Sequence, residues 1–265
     1  MTTILDKIIK EKQKEVVKLK KQPFNYTDSP YTGPTFAELV QKNKNMSMIA
    51  EIKRASPSKG LINGDVDPAQ QAKVYEANGA SAISVLTDAP FFQGTMDDLK
   101  SVREAVNIPI LCKDFIIDSI QIDHAKAAGA NIILLIAAAL DDDTMKSLYD
   151  YAVANNLEVI CEVHHESEME SVLELNPRLI GVNNRDLKTF NVDLTTTARV
   201  AESAINSDAI LIGESGIKDQ SDVETLAKAG AEAILIGETL MSADNVPQKA
   251  QEMLIPLSKK AGTRL

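Results

Sequence analysis

Cysteine is scarce in this chain, and its two copies form no recognisable site. Cys112 and Cys161 are the only cysteines among 265 residues. This excludes a disulfide-rich scaffold and a cysteine-based metal site, and it favours free thiols in a reducing compartment, the cytoplasm. Each cysteine directly precedes a charged residue, Lys113 or Glu162, so on a strand it points to the opposite face. We expect both to be small core residues.

The sequence also lacks a long apolar run and an excess of basic residues. Its longest apolar segment, 132–140, is far shorter than a membrane span, and the charged N-terminus is unlike a signal peptide. With 38 acidic and 28 basic residues the net charge is −10, which argues against a nucleic-acid or membrane partner. A phosphorylated small molecule stays compatible, because local lysines or helix N-termini bind phosphate. We expect a cytoplasmic monomer.

Histidine is limited to three residues. His164 and His165 are adjacent, but no third ligand has a spacing suited to a metal ion. His124 lies among alanines in a predicted helix, and we expect it to be structural. The sequence therefore predicts no metal site.

The most informative pattern that is present is an internal repeat. A helix-ending glycine, able to adopt a positive φ, precedes a short apolar run at three places. Gly129 follows Gly79 by 50 residues, and Gly230 follows Gly129 by about twice that distance. Each period is long enough for two βα units. The apolar runs, including one weaker copy, are 82–86, 132–136, 179–182 and 233–237.

Further strand and helix patterns alternate along the chain. Continuous apolar strands without alternation are typical of a parallel sheet covered on both faces. Eight strands and eight helices predict an α/β fold, a closed (β/α)8 TIM barrel, with an open doubly wound sheet as the alternative. The further strands are 47–53, 110–113, 158–162 and 210–213. The helices are 68–78, 95–106, 119–128, 142–155, 166–175, 194–203, 220–229 and 246–259.

We predict a single domain over 1–265, with a helical extension at 1–46 and the barrel at 47–265. Ile4, Ile8 and Leu19 make the start of the chain an amphipathic helix, and a loop is expected at 23–34. The lysines of this helix are expected to form a solvated face. They are Lys7, Lys10, Lys12, Lys14, Lys18, Lys20 and Lys21.

Charged and polar residues mark the carboxyl ends of the predicted strands, where such barrels place their active sites. Glu51 and Lys53 are two apart on one strand and face the same way, whereas Lys113 stands alone at the end of its strand. Two lysines and two carboxylates at one mouth suit acid–base chemistry on a carbonyl compound. The strand-end series is Glu51, Lys53, Lys113, Glu162, Asn183, Glu214 and Ser215.

Glycine-containing turns predict a phosphate site. Gly216 follows the seventh strand, and Gly237 follows the eighth with Glu238 next to it. Glycines there let backbone N–H groups approach an anion. The polar segment that begins at Ser56 suits a phosphate contact and a lid. The alternative is that both glycines serve only tight turns.

These segments together closely resemble the indole-3-glycerol phosphate synthase family. The resemblance covers essentially the entire chain, and the first and third of its elements are the most specific. It is carried by AEIKRASPSKG at 50–60, LTD at 86–88, KDFI at 113–116, GVNNRDL at 181–187, ESGI at 214–217 and LIGETLM at 235–241.

The resemblance implies a carbon–carbon lyase (a carboxy-lyase) of tryptophan biosynthesis that needs no cofactor or metal. The implied substrate is 1-(2-carboxyphenylamino)-1-deoxyribulose 5-phosphate, and the products are indole-3-glycerol phosphate, CO2 and water. Lys113 resembles the acid for the ketone oxygen, and Lys53 the residue that holds the departing carboxylate. Glu162 and Glu51 resemble the acid–base pair that removes the hydroxyl and the ring proton.

The remaining implied contacts concern binding. Asn183 and Ser215 match positions at the polar middle of the substrate. Glu238 stands where many relatives have serine, so only its backbone N–H is expected to bind phosphate. The other implied binding residues are Ser56, Arg185, Gly216 and Gly237 for the phosphate end, and Phe92, Phe115 and Leu134 for the aromatic ring.

Two other hypotheses stay open at this point. A non-catalytic phosphate-binding barrel would be expected to lack Lys113 or Glu162, and both are present. A sugar-phosphate isomerase or aldolase would use a Schiff base, for which Lys113 is the candidate.

Overall fold

Eight parallel strands form the centre of the computed structural model, which describes residues 3–21 and 31–257. The barrel strands are β1 Ser47–Ile52, β4 Ala82–Leu86, β5 Ile110–Lys113, β6 Ile132–Ile136, β7 Glu158–Val163, β8 Leu179–Asn183, β9 Ile210–Glu214 and β10 Ala233–Ile236. A two-stranded hairpin, β2 Ala55–Ser56 and β3 Gly60–Leu61, lies in the loop after β1.

Helices surround the barrel and precede it. They are α1 Ile4–Leu19, α2 Phe36–Lys42, α3 Pro68–Ala77, α4 Ala89–Phe92, α5 Met96–Ala105, α6 Ser119–Ala127, α7 Asp142–Ala154, α8 Met169–Glu174, α9 Thr195–Ser203, α10 Gln220–Lys228, α11 Glu238–Met241 and α12 Val246–Met253. Two 3-10 turns, Ala137–Ala139 and Glu166–Glu168, follow β6 and β7.

The sheet closes because β1 pairs with both its neighbours in the ring. Ala50 lies opposite Ile236 of β10 and Ile83 of β4, and both pairings are parallel. The (β/α)8 barrel is therefore confirmed over the open sheet.

Local capping explains why the helix starts were predictable. Thr95 precedes α5 and forms a capping box with Asp98. The Thr95 hydroxyl accepts a hydrogen bond from the backbone N–H of Asp98, and the Asp98 carboxylate accepts one from the backbone N–H of Thr95. Asp118 and Asp219 cap α6 and α10 through their side chains. The predicted helix 166–175 is instead a 3-10 turn followed by α8.

The predicted helix 246–259 is wrong at its C-terminal end. α12 ends at Met253, and residues 258–259 lie outside the described part of the chain. Pro256 disfavours helical geometry at the residue before it. The segment instead pairs with the chain that enters β1, because Met46 donates to the Ile255 carbonyl and Leu257 donates to that of Lys44.

The predicted extension reaches both ends of the barrel. α2 closes the amino-terminal end, where Phe36 packs in the same buried cluster as Ile49 and Leu179. Glu158, the first residue of β7, accepts hydrogen bonds from the N–H groups of Phe36 (2.6 Å) and Ala37 (3.0 Å). This carboxylate caps the first turn of α2 and holds it against the barrel.

α1 lies at the opposite, carboxyl-terminal end, and one of its lysines corrects the prediction of a solvated face. Lys12 is buried, with 1% of its side chain exposed. Its ammonium contacts Asp88 after β4 (3.1 Å) and Asp114 after β5 (2.7 Å). A buried lysine needs such partners, since an unpaired charge is costly to remove from water. Of the loop expected at 23–34, residues 23–30 lie outside the described residues.

The cysteines are core residues, as predicted. Cys112 and Cys161 are buried, and burial raises the pKa of each thiol to about 12. None of the described helices is long and apolar enough to cross a membrane.

Candidate active site

A cavity of about 350 Å³ opens at the carboxyl ends of the barrel strands. The strand direction and the loops place every predicted site residue on its wall, and α1 adds Ile4, Leu5 and Ile8. The predicted residues that line it are Glu51, Lys53, Ser56, Phe92, Lys113, Phe115, Leu134, Glu162, Asn183, Arg185, Ser215, Gly216, Gly237 and Glu238. Their roles stay predictions, but their convergence is a property of the fold.

Lys113 does not stand alone at the end of its strand. Its ammonium lies 2.5 Å from Glu214 Oε2 and 3.1 Å from Glu162 Oε2. Glu214 comes from β9, directly across the barrel from β5, and Glu162 comes from β7, two strands away from β5. The barrel interior therefore gathers one lysine and two carboxylates that are far apart in the chain.

The two carboxylates differ in their electrostatics. Burial opposes the charge of Lys113, but Glu214 and Glu162 outweigh it and raise the pKa of the lysine. Burial also acts on Glu162, yet Lys113 and His164 lower the pKa of this carboxyl below its ordinary value. Burial raises the pKa of Glu214, and Lys113 offsets this only in part. The pKa values of the two carboxyls are therefore shifted in opposite directions within one coupled cluster.

Amide and lysine groups complete the polar side of the cavity. Asn183 donates to Glu162 Oε1 (3.2 Å) and accepts from the backbone N–H of Arg185 (3.1 Å). Lys53 is paired with Glu51, as expected for residues two apart on one strand face. Both pairs hold their side chains toward the cavity.

The two predicted phosphate turns leave no room for a side chain at Gly216 or Gly237. Ser215 and Gly216 both have positive φ, 66° and 81°. A Cβ on Gly216 would lie 2.1 Å from Val192 Cγ1, and a Cβ on Gly237 would lie 2.2 Å from Glu51 Oε1. A side chain at either turn would therefore force the Val192 or the Glu51 side chain to move.

Glu238 joins two cations at the same end of the cavity. Its carboxylate lies 3.0 Å from Lys59 Nζ and 3.7 Å from Arg185 Nη2. Ser56, in the hairpin that also carries Lys59, lies within 3.3 Å of the Ser58 hydroxyl. An anion entering here would meet two cationic side chains and the negative charge of Glu238.

An apolar slot lies beside the cluster of Lys113, Glu162 and Glu214. The Phe92 and Phe115 ring centroids are 5.9 Å apart, with the ring planes inclined by 34°, which is a favourable aromatic pair. Leu134 is buried on the same wall. Together these side chains present an apolar surface against which an aromatic group can pack.

Sequence reasoning passed over several residues of this site. Glu214 ends β9 and carries the same strand-end signal as Glu162, but no role was predicted for it. Ile8 was predicted only as part of an amphipathic helix. The ion pairs of Lys12 with Asp88 and Asp114 could not be predicted, because residues so far apart in the chain leave no local sequence pattern. His164 was considered only as a metal ligand. Among the described residues, no three His, Cys, Asp or Glu side chains are grouped as metal ligands.

The fold and the site define a (β/α)8-barrel enzyme with acid–base groups at the carboxyl ends of its strands. The family model described as Indole-3-glycerol phosphate synthase matches residues 5–253. The chain belongs to the indole-3-glycerol phosphate synthase family.

Curated relatives agree with this assignment. The chain is 49% identical over 259 residues to the indole-3-glycerol phosphate synthase of Oceanobacillus iheyensis, covering 98% of this chain and 99% of that protein. It is 48% identical over 246 residues to the Bacillus cereus protein of the same name, covering 93% and 96%.

Two solved structures that are similar show the fold alone. One is the thiamine phosphate pyrophosphorylase from Pyrococcus furiosus, with a TM-score of 0.58 and 17% identity over 80% of this chain and 95% of that one. The other is 3-hexulose-6-phosphate synthase, with a TM-score of 0.59 and 16% identity over 78% and 98%.

Proposed function

We propose that Lys113, held between Glu162 and Glu214, is the proton donor of an indole-3-glycerol phosphate synthase. The reaction is ring closure of 1-(2-carboxyphenylamino)-1-deoxyribulose 5-phosphate, with loss of CO2 and water, in tryptophan biosynthesis. The product is indole-3-glycerol phosphate, and the class is that of carboxy-lyases. The observation that carries the proposal is the short Lys113–Glu214 contact at the cavity wall (2.5 Å).

Ring closure needs an acid at the ketone. The ring carbon that bears the carboxylate attacks the ketone carbon, and the oxygen takes a proton as the new C–C bond forms. Lys113 supplies this proton, because two carboxylates keep it in the ammonium form. CO2 then leaves, and its bonding electron pair restores the aromatic ring.

Dehydration needs an acid and a base. The hydroxyl leaves as water after protonation, and the neighbouring C–H proton passes to a carboxylate. Glu162 suits the base, since its lowered pKa keeps it ionised. Glu51 is the other member of this acid–base pair and acts as the acid for the leaving hydroxyl. Lys53, which is paired with Glu51, holds the substrate carboxylate before decarboxylation.

Binding residues divide the substrate into three parts. Asn183 and Ser215 contact its polar middle. The phosphate end lies at the turns of Gly216 and Gly237, and the aromatic ring packs against the apolar surface of Phe92, Phe115 and Leu134. The phosphate end includes Ser56, Arg185 and the backbone of Glu238. The cation pair at Glu238 supports this placement, because the phosphate would replace the carboxylate at Lys59 and Arg185.

The Schiff-base alternative is disfavoured by the same cluster. A lysine attacks a carbonyl only as a free amine, and Glu162 with Glu214 keeps Lys113 protonated. Borohydride trapping of a sugar phosphate on Lys113 would support the alternative.

The proposal extends to location and assembly. We propose a single domain over 1–265, acting as a cytoplasmic monomer without a cofactor, a nucleic-acid partner or a membrane. The net charge of −10 and two buried thiols support it. Gel filtration with light scattering tests the monomer, since a mass of about twice 28.8 kDa would contradict it.

The direct test is incubation with the arylamino-deoxyribulose phosphate while indole fluorescence is followed. We expect product from the wild-type chain and none above background from Lys113→Ala. A wild-type chain that binds this substrate but never forms an indole would overturn the proposed function.

A further inference from the structure

His164 is a buried ring directly behind the proposed base. It follows β7 at the second position after Glu162, so both side chains leave the chain on the same side. Only 3% of the His164 side chain is exposed. The ring does not line the cavity, and substrate therefore reaches Glu162 but not His164.

The ring lies between two carboxylates. Nε2 is 3.3 Å from Glu162 Oε1, and Nδ1 is 3.9 Å from Glu168 Oε2. Glu168 is itself held in place, because its Oε2 accepts the backbone N–H of His164 (2.6 Å). Within residues 3–21 and 31–257, neither ring nitrogen forms a well-aligned hydrogen bond. Buried polar atoms are normally satisfied, so one that is aimed at a reactive carboxylate calls for a functional reason.

We propose that His164 is a positioning residue that holds the Glu162 carboxylate through Nε2. The proposal rests on the proposed role of Glu162 as the base. Glu162 Oε2 contacts Lys113, while Oε1 accepts from Asn183 and faces His164. Support at both oxygens fixes the rotation of the carboxylate, which must point at the C–H proton for transfer.

Electrostatics act in the same direction as geometry. Burial alone would raise the pKa of Glu162, and His164 contributes, after Lys113, to lowering it. The groups that face the ring from its surroundings are Glu162 and Glu168, both acidic. Each carboxylate can accept a hydrogen bond from an N–H of the ring.

Two isosteric variants separate the Nε2 contact from simple filling of space. A glutamine amide nitrogen reaches about as far as Nε2, whereas an asparagine amide nitrogen reaches only as far as Nδ1. We expect His164→Asn to lower kcat about tenfold with KM nearly unchanged, the size of one lost hydrogen bond to a charged group. His164→Gln is expected to stay within about threefold of wild type. His165→Gln, at the exposed neighbouring position, is the control and leaves kcat unchanged.

The pH profile provides a readout that a merely structural role would not move. Removing a group that lowers the pKa of Glu162 raises that pKa, so the acid limb of kcat moves to higher pH in His164→Asn. Equal losses in His164→Asn and His164→Gln, or an unmoved acid limb, would overturn the proposal. So would a loss of activity explained fully by a lower melting temperature.

A double variant distinguishes failure of this inference from failure of the proposed function. If His164 acts through Glu162, adding His164→Asn to Glu162→Gln causes no further loss. A further tenfold loss in the double variant would show that His164 acts elsewhere. If wild type forms no indole-3-glycerol phosphate, the proposed function fails first. If Glu162→Gln alone is impaired and His164→Asn is normal, only the inference about His164 fails.

Discussion

Lys12 of α1 lies 2.7 Å from Asp114 of the loop after β5, with both side chains almost completely buried. The lysine also contacts Asp88, which caps α4 ahead of Phe92. Asp114 lies between Lys113 and Phe115 in sequence. A single ammonium thus connects the N-terminal helix to both segments that form the aromatic slot.

Removing this ammonium should undock α1. Lys12→Met leaves the buried carboxylates of Asp88 and Asp114 without a cationic partner, and breaking a buried pair in this way costs about 3–5 kcal/mol. We expect a lower free energy of unfolding and a higher KM, because Ile8 would leave the cavity wall. Urea denaturation and steady-state kinetics measure the two effects. Lys14→Met is the matched control, since Lys14 is exposed on the same helix and, within the described part of the chain, forms its ion pair with Glu11. Equal behaviour of the two variants would contradict the prediction.

Replacing Lys113 and replacing Lys53 should affect turnover and substrate binding differently. Lys113→Ala removes the proposed acid, so turnover should fall by about a hundredfold to ten-thousandfold while substrate binding is largely kept. Lys53→Ala should impair turnover and binding together, because it removes a charge-assisted contact with the substrate carboxylate. Steady-state kinetics, combined with the affinity for a reduced substrate analogue, separate the two. Near-normal turnover of Lys113→Ala would move the acid to Lys53 or Glu162.

The phosphate turn should not tolerate a branched side chain. At Gly216, φ is 81° and a Cβ would lie 2.1 Å from Val192 Cγ1, so Gly216→Val combines backbone strain with a clash. We expect KM to rise at least about tenfold, which corresponds to 1.4 kcal/mol of lost binding. Gly230→Val is the control, because Gly230 also has positive φ (99°), but a Cβ there meets no described residue within 4 Å apart from its two chain neighbours. Unchanged substrate affinity in Gly216→Val would count against the site.

Glu214 should determine how kcat changes with pH. Its pKa is raised by burial, so it loses its proton at a higher pH than an ordinary glutamate. That loss adds negative charge beside Lys113, strengthens the hold on the ammonium proton and weakens Lys113 as an acid. We therefore expect kcat of wild type to fall as pH rises through the raised pKa of Glu214.

Glu214→Gln tests this assignment, since it keeps a neutral side chain at every pH. Its kcat, measured from about pH 5 to pH 9, should lack the fall seen in wild type. If the same fall persists in the variant, another group controls it.

The barrel was predictable because its information is local. Several βα units carry their own helix cap and a continuous apolar run, and three of them also carry a glycine at the helix end; none of these features depends on distant residues. Thr95 and Gly129 illustrate this, since the helices that they begin and follow agree with the prediction to within about one residue. The end of α12 was mispredicted because the pairing of Ile255 with Met46 is not local.

The sequence alone determined which residues end the strands, and hence that Lys113, Glu162 and Asn183 would meet at one mouth. Only the tertiary structure decided which of them touch. Closure of the barrel brings β5 across from β9, so Lys113 meets Glu214 at 2.5 Å and no longer stands alone. Docking of α1 converts Lys12 from a lysine expected in water into a buried ion pair. The side chains that line the mouth follow from the alternating side-chain direction along each strand. The ion-pair partner of each side chain and its burial depend on contacts between segments that are remote in the chain.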